Sequence, residues 1–124
     1  GGQRRGDGPE PDPEPVVRNF IVFFDWDKSE LTATAAQIVD AASQESERVK
    51  LHIRLTGHAD RSGADGYNMG LSKNRAETVR EEMIRLGVAG DDIAIAWKGE
   101  RGLLVPTPDN IREPQNRRVE IVFE

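Results

Sequence analysis

The 124-residue sequence contains no cysteine, which excludes disulfide cross-links, thiolate zinc sites and a thiol nucleophile. It has no apolar run near the roughly 20 residues that a membrane span needs, and residues 1–17 lack the apolar segment of a signal peptide. Basic residues are in the minority, with 17 Lys and Arg against 22 Asp and Glu. Because nucleic-acid affinity rests mainly on cationic side chains, we expect no nucleic-acid partner.

Residues 1–17 differ in composition from the rest of the chain, because they hold four of the seven prolines and almost no apolar side chain. Prolines alternate strictly with acidic residues over residues 9–15, which favours extended polyproline II. We therefore predict a Pro-rich linker over residues 1–17, whose two leading glycines are typical of a cleavage remnant. A single domain is predicted over residues 18–124.

The rest of the chain shows four strand patterns. Residues 18–27, with the sequence RNFIVFFDWD, form an apolar run that predicts a strand buried on both faces or nearly so. Residues 49–56 alternate between apolar and polar side chains, and alternation returns in residues 93–97 and 119–123. Period-two alternation predicts strands with one buried face and one wet face.

Two helices are predicted between the first three strands. The first follows Thr32, a favourable N-cap, and the second runs from about residue 67 to residue 86, with Gly87 placed to end it. The order β-α-β-α-β-β predicts an α/β sandwich in which two helices cover one face of a mixed four-stranded sheet. Helical crossovers are expected to pair the early strands in parallel and with right-handed connections.

Polar residues suited to ligand binding follow the second strand. Asp60 lies in a glycine-containing loop over residues 57–66, and Arg75 lies two turns into the second helix. Ligands in such sheets favour the carboxyl ends of strands, so these side chains are expected to meet there. The pair has two interpretations: a plain salt bridge, or a split pair in which Arg75 clamps a carboxylate and Asp60 accepts an ammonium.

Residues 56–88, TGHADRSGADGYNMGLSKNRAETVREEMIRLGV, resemble the signature TGHTD-x-x-G-x4-N-x2-LS-x2-RA-x2-V of the OmpA-like peptidoglycan-binding domain. The resemblance extends to Phe24-Asp25, to Lys98-Gly99-Glu100 and to the run NRRVEI at residues 116–121, and so covers residues 18–124. The main departure is Ala59, where the family usually has Thr.

This resemblance implies a non-enzymatic domain that binds the peptide stem of peptidoglycan at meso-diaminopimelate and anchors the outer membrane to the cell wall. Transferred by matching positions, Asp60 would accept the ammonium of diaminopimelate and Arg75 would clamp its carboxylate. The same transfer places four further residues around the ligand: Asp25, Asn68, Leu71 and Arg118. Each has a structural alternative, namely loop support for Asp25, a helix N-cap for Asn68, core packing for Leu71 and a sheet-face charge for Arg118.

The resemblance also implies a periplasmic location, with the parent protein tethered to the outer membrane through a segment outside this sequence. No cofactor is expected. His58 and Asp60 could supply two metal ligands, but the chain has two histidines in all, and the EF-hand spacing that begins at Asp25 fails because Glu30 replaces the required glycine. No catalytic set is recognised either. The alternative is a protein-interaction module with the same fold, because fold does not fix function.

Overall fold

The computed structural model describes residues 19–124, so the predicted linker over residues 1–17 lies outside the described residues. The elements are β1 Asn19–Phe23, α1 Ala33–Val49, β2 Ile53–Gly57, α2 Asp65–Arg85, β3 Ile93–Trp97 and β4 Arg118–Phe123, with short 3-10 helices at Gly90–Asp92 and Pro114–Asn116. Within residues 19–124, neither helix is both long enough and apolar enough to cross a membrane.

The four strands form one mixed sheet in the order β1-β4-β2-β3, with the two helices packed on one face, which confirms the predicted architecture. Strands β2 and β3 pair in parallel, as expected. The expected parallel pairing of β1 with β2 is wrong, because β4 lies between them and is antiparallel to both. The central position suits β4, since its inward residues Val119 and Ile121 are completely buried.

The core lies between the helices and the inward face of the sheet. The register places Val22 opposite Val119 and Leu55 opposite Ile121, so apolar side chains from three strands form one layer. Side chains from α1 and α2 close this layer, led by Val39, Val79 and Met83.

Two predictions about the strands are wrong, one on the burial of β1 and one on the start of β2. The first strand is not buried on both faces: β1 is an edge strand in which Val22 is buried, whereas Ile21 and Phe23 are 39% and 44% exposed. The apolar side chains of this run therefore alternate between the buried face of the sheet and its exposed face. Residues 49 and 50 do not begin β2 but end α1, where Lys50 adopts a left-handed conformation (φ 58°) and donates its N–H to the Ser46 carbonyl.

The helix ends agree more closely with the sequence. Thr32 caps α1 through its hydroxyl, which accepts a hydrogen bond from the Ala35 N–H at 3.0 Å. Helix α2 begins at Asp65, two residues before the expected start, and Gly87 follows its end with φ 103°.

Gly57 sets the distance between β2 and α2. A Cβ atom at this position would lie 1.9 Å from the backbone oxygen of Ser72, so only glycine allows the helix to lie this close to the strand. Arg75 follows Ser72 by about one turn, and the close approach therefore brings its side chain to the end of β2.

We expect Gly57→Ala to lower the free energy of unfolding by about 3 kcal/mol, the upper end of overpacking costs, because the clashing atom belongs to the backbone. Urea denaturation measures the change. Gly70→Ala is the matched control: a Cβ there meets nothing within 4 Å, and alanine is the better helix former, so stability is expected to rise by about 0.5–1 kcal/mol. Equal effects at the two positions would contradict the close approach.

Candidate functional site

A cavity of about 170 Å³ lies at the carboxyl end of β2, between the loop that follows β1, the loop that follows β2 and the first turns of α2. Nine residues line it: Trp26, Asp27, Asp60, Ser62, Gly63, Tyr67, Asn68, Leu71 and Arg75. Four of the six predicted site residues are therefore brought together, namely Asp60, Asn68, Leu71 and Arg75.

Arg75 is completely buried, and three backbone carbonyls hold its guanidinium. Its Nε donates to Lys28 O at 2.8 Å, its Nη1 to His58 O at 3.0 Å and its Nη2 to Asp25 O at 3.1 Å. A guanidinium carries five N–H groups, so two remain for a ligand. Burial lowers the pKa of Arg75 to about 10, opposed by the charge of Asp60, and the side chain therefore stays cationic at neutral pH.

Asp60 is 3% exposed and accepts four hydrogen bonds from its surroundings. Its Oδ1 accepts from the backbone N–H of Ser62 at 3.1 Å and from the Ser62 hydroxyl at 2.6 Å. Its Oδ2 accepts from the backbone N–H of Glu113 at 3.1 Å and from Nη1 of Arg117 at 3.3 Å. Within residues 19–124, the ion pair of Asp60 is thus formed with Arg117, and not with Arg75 as the salt-bridge interpretation requires.

Asn68 and Leu71 occupy neighbouring turns of α2. Asn68 is buried and donates its side-chain amide to Glu100 at 3.2 Å. The alternative of Asn68 as the helix N-cap is wrong, because Ala64 is the N-cap residue. Leu71 is half-buried at the wall of the cavity.

Asp25 and Arg118 do not line this cavity. Asp25 contributes its carbonyl to Arg75, and the residue borders a separate, more apolar cavity of about 410 Å³ between β1 and α1. Arg118 belongs to the opposite face of the sheet, where it donates to Glu120 at 2.9 Å and to Gly102 O at 2.8 Å. Arg117 is the neighbour that reaches Asp60. The sequence run Arg117-Arg118 contained the residue that reaches Asp60, but only the structure shows which of the two it is.

His58 packs beside Arg118 on that opposite face. It is 2% exposed, and its Nε2 lies 3.4 Å from a carboxylate oxygen of Glu120. Burial, followed by the charge of Arg118, lowers the pKa of His58 to about 4, while Glu120 opposes the shift. His58 is therefore neutral near pH 7. Within residues 19–124, no three His, Cys, Asp or Glu side chains converge on a position for a metal ion.

We expect His58 to make the fold sensitive to acid. An unfolded histidine titrates near pH 6.5, so between about pH 6.5 and pH 4 the unfolded chain binds a proton that the folded chain does not, and stability falls as the pH falls. From pH 7 to pH 5 this difference corresponds to about 2 kcal/mol of unfolding free energy.

Urea denaturation of His58→Gln at the two pH values is expected to show a smaller acid loss than the parent. His52→Gln is the control, because His52 has a side chain that is 79% exposed. An undiminished acid loss in His58→Gln would contradict this role of His58.

The profile of the OmpA family matches residues 23–117 of the chain. The chain belongs to the OmpA family. This OmpA domain is 49% identical over 114 residues to an outer membrane protein of Gluconacetobacter diazotrophicus, covering 86% of the chain and 30% of the relative. It is 32% identical over 120 residues to outer membrane protein A of Bordetella avium, covering 96% and 62%. The chain thus spans less than two thirds of either relative.

The same OmpA fold occurs in solved structures. The crystal structure of the peptidoglycan-associated lipoprotein from Burkholderia pseudomallei superimposes with a TM-score of 0.76 at 27% identity, covering 87% of this chain and 91% of that protein. The family resemblance predicted from the sequence is therefore confirmed by the family profile, by relatives and by architecture.

Proposed function

We propose that this OmpA domain binds peptidoglycan non-covalently by holding the free end of a meso-diaminopimelate side chain between Asp60 and Arg75. The observation that carries the proposal is the cavity itself, which is lined by a buried guanidinium and a buried carboxylate. The side-chain end of diaminopimelate bears one ammonium and one carboxylate, so its two charges complement those of the cavity.

Arg75 is suited to the carboxylate. Its plane is already fixed by the three carbonyls, so little side-chain entropy remains to be lost when a ligand binds. The two N–H groups that remain can donate to carboxylate oxygens, and charge-assisted hydrogen bonds are the stronger class. Burial also excludes water, which strengthens the attraction between the ion and its ligand.

The relatives support a role at the cell wall and not in catalysis. Two carry the name outer membrane protein, and the solved relative is named a peptidoglycan-associated lipoprotein. These names indicate a periplasmic location at the outer membrane, and none refers to a reaction. We propose that the parent protein is tethered to the outer membrane by a segment outside this sequence, so that the domain acts as a wall anchor.

High affinity of a single domain is not required by this proposal. Many membrane-tethered copies would face a polymer that repeats the same stem peptide, and multivalent engagement multiplies weak individual affinities.

We expect Asp60→Asn and Arg75→Lys each to weaken binding of a diaminopimelate-containing stem peptide by about 2–5 kcal/mol, the usual loss when one partner of a desolvated charge pair is removed. Sedimentation with purified sacculi and calorimetric titration with the peptide measure the loss. Both residues also support the fold through buried hydrogen bonds, so near-ultraviolet circular dichroism and urea denaturation must show that each variant is folded.

Two further variants keep this test decisive. Leu71→Trp places a large ring at the cavity wall without removing a buried charge, and is expected to abolish binding. Asp91→Asn changes an exposed carboxylate at the far end of the domain and is expected to bind like the parent. Parent-like sedimentation of folded Asp60→Asn, Arg75→Lys and Leu71→Trp would overturn the proposed function.

A further inference from the structure

We infer that Asp27 is a second ammonium-binding carboxylate of the cavity and shares the ammonium with Asp60, whose oxygens already accept four hydrogen bonds. This inference rests on the proposed function, because it concerns the same ligand and the same cavity. It adds a second side chain that distinguishes a diaminopimelate ammonium from a neutral group.

Asp60 has little unused capacity to accept hydrogen bonds. A carboxylate offers about four lone-pair positions, and Asp60 already accepts four hydrogen bonds. The donors are two backbone N–H groups, the Ser62 hydroxyl and Arg117, and the carboxylate is almost completely buried. An ammonium that met only Asp60 would have to displace one of these donors. It would also leave some of its own three N–H groups unpaired, at a cost in free energy.

Asp27, in contrast, has a carboxylate with unused acceptor positions. It lines the same cavity, but its residue is exposed. Within the described part of the chain, Asp27 has one hydrogen-bond partner, the Tyr67 hydroxyl, which donates to Oδ1. Oδ2 therefore retains its acceptor positions. This carboxylate can take an N–H group of an ammonium without breaking an existing contact.

Asp27 is also held in a fixed position by its neighbours. Arg75 donates to the carbonyls of Asp25 and Lys28, on either side of it, so the guanidinium holds the backbone that carries this carboxylate. Asp27 itself adopts the left-handed conformation (φ 55°), which Asp and Asn tolerate better than most residues. Tyr67 then orients the side chain from α2. Asp27 is thus placed at a set distance from the group that clamps the ligand carboxylate.

The test uses the 124-residue chain, three tripeptides and isothermal titration calorimetry. The first tripeptide is L-Ala-γ-D-Glu-meso-diaminopimelate. The second replaces diaminopimelate by L-2-aminopimelate, which keeps the side-chain carboxylate and lacks the side-chain ammonium. The third replaces it by L-Lys, which keeps the ammonium and lacks the carboxylate.

Asp27→Asn is expected to weaken binding of the diaminopimelate and Lys peptides by about tenfold, the equivalent of one charge-assisted hydrogen bond, and to leave the aminopimelate peptide unchanged. Asparagine also tolerates the left-handed conformation, so the loop is expected to keep its shape. Tyr67→Phe, which removes only the orienting hydroxyl, is expected to give a smaller loss with the same ligand dependence. Asp65→Asn is the matched control. Asp65 is an exposed acidic residue of α2, the helix that carries Tyr67, and it lies outside the cavity, so this variant is expected to bind like the parent.

Two results would overturn the inference alone. Unchanged binding of the diaminopimelate peptide to Asp27→Asn would exclude the contact, and an equal loss for the diaminopimelate and aminopimelate peptides would assign the effect to structure and not to the ammonium. The proposed function would stand in either case if Asp60→Asn and Arg75→Lys still lost binding. Absence of diaminopimelate-peptide binding by the parent would overturn both.

Discussion

The buried guanidinium of Arg75 is the constraint on which the candidate site depends. One side chain of α2 ties together the residue after β2, through His58 O, and both sides of the loop after β1, through Asp25 O and Lys28 O. A buried cation is costly unless its donors are paired, and carbonyl oxygens pair three of the five here. The loops around the cavity are thereby fixed by the residue that is proposed to clamp the ligand. The same side chain positions the loops and is proposed to recognise the ligand carboxylate.

The sheet makes this arrangement possible. Strand β4 lies between β1 and β2, which brings Arg117 to the position from which it reaches Asp60 at 3.3 Å and Phe24 O at 3.0 Å. Gly57 lets α2 approach β2 closely enough for Arg75 to reach the strand end. The loop after β1 is distant in sequence from the end of β2 and from α2, and it is brought to them across the last strand of the chain, which lies between β1 and β2.

The sequence was sufficient for the fold class, for the helices and for the placement of Asp60 and Arg75 at one cavity, because these follow from periodicity and from a motif carried by adjacent elements. It was insufficient where the outcome depends on strand order. Local patterns contain no information on which strand is central, so the β1–β2 pairing was wrong. The choice between Arg117 and Arg118 depends on a one-residue register that places alternate side chains on opposite faces. Asp27 was missed for another reason: its relevance comes from unfilled acceptor positions, which only the hydrogen-bond arrangement reveals.

Asp60 and Arg75 do not pair with each other, and this separation is what a zwitterion-binding cavity requires. A direct ion pair would satisfy both groups, and a ligand would then have to break it before binding. Instead, Arg117 and backbone amides satisfy Asp60, while carbonyls satisfy much of Arg75. Each group therefore has its own hydrogen-bond partners, and the space between the two groups remains a cavity of about 170 Å³. Hydrogen bonds to these neighbours offset the cost of burying the two side chains, so neither side chain needs the other as its partner.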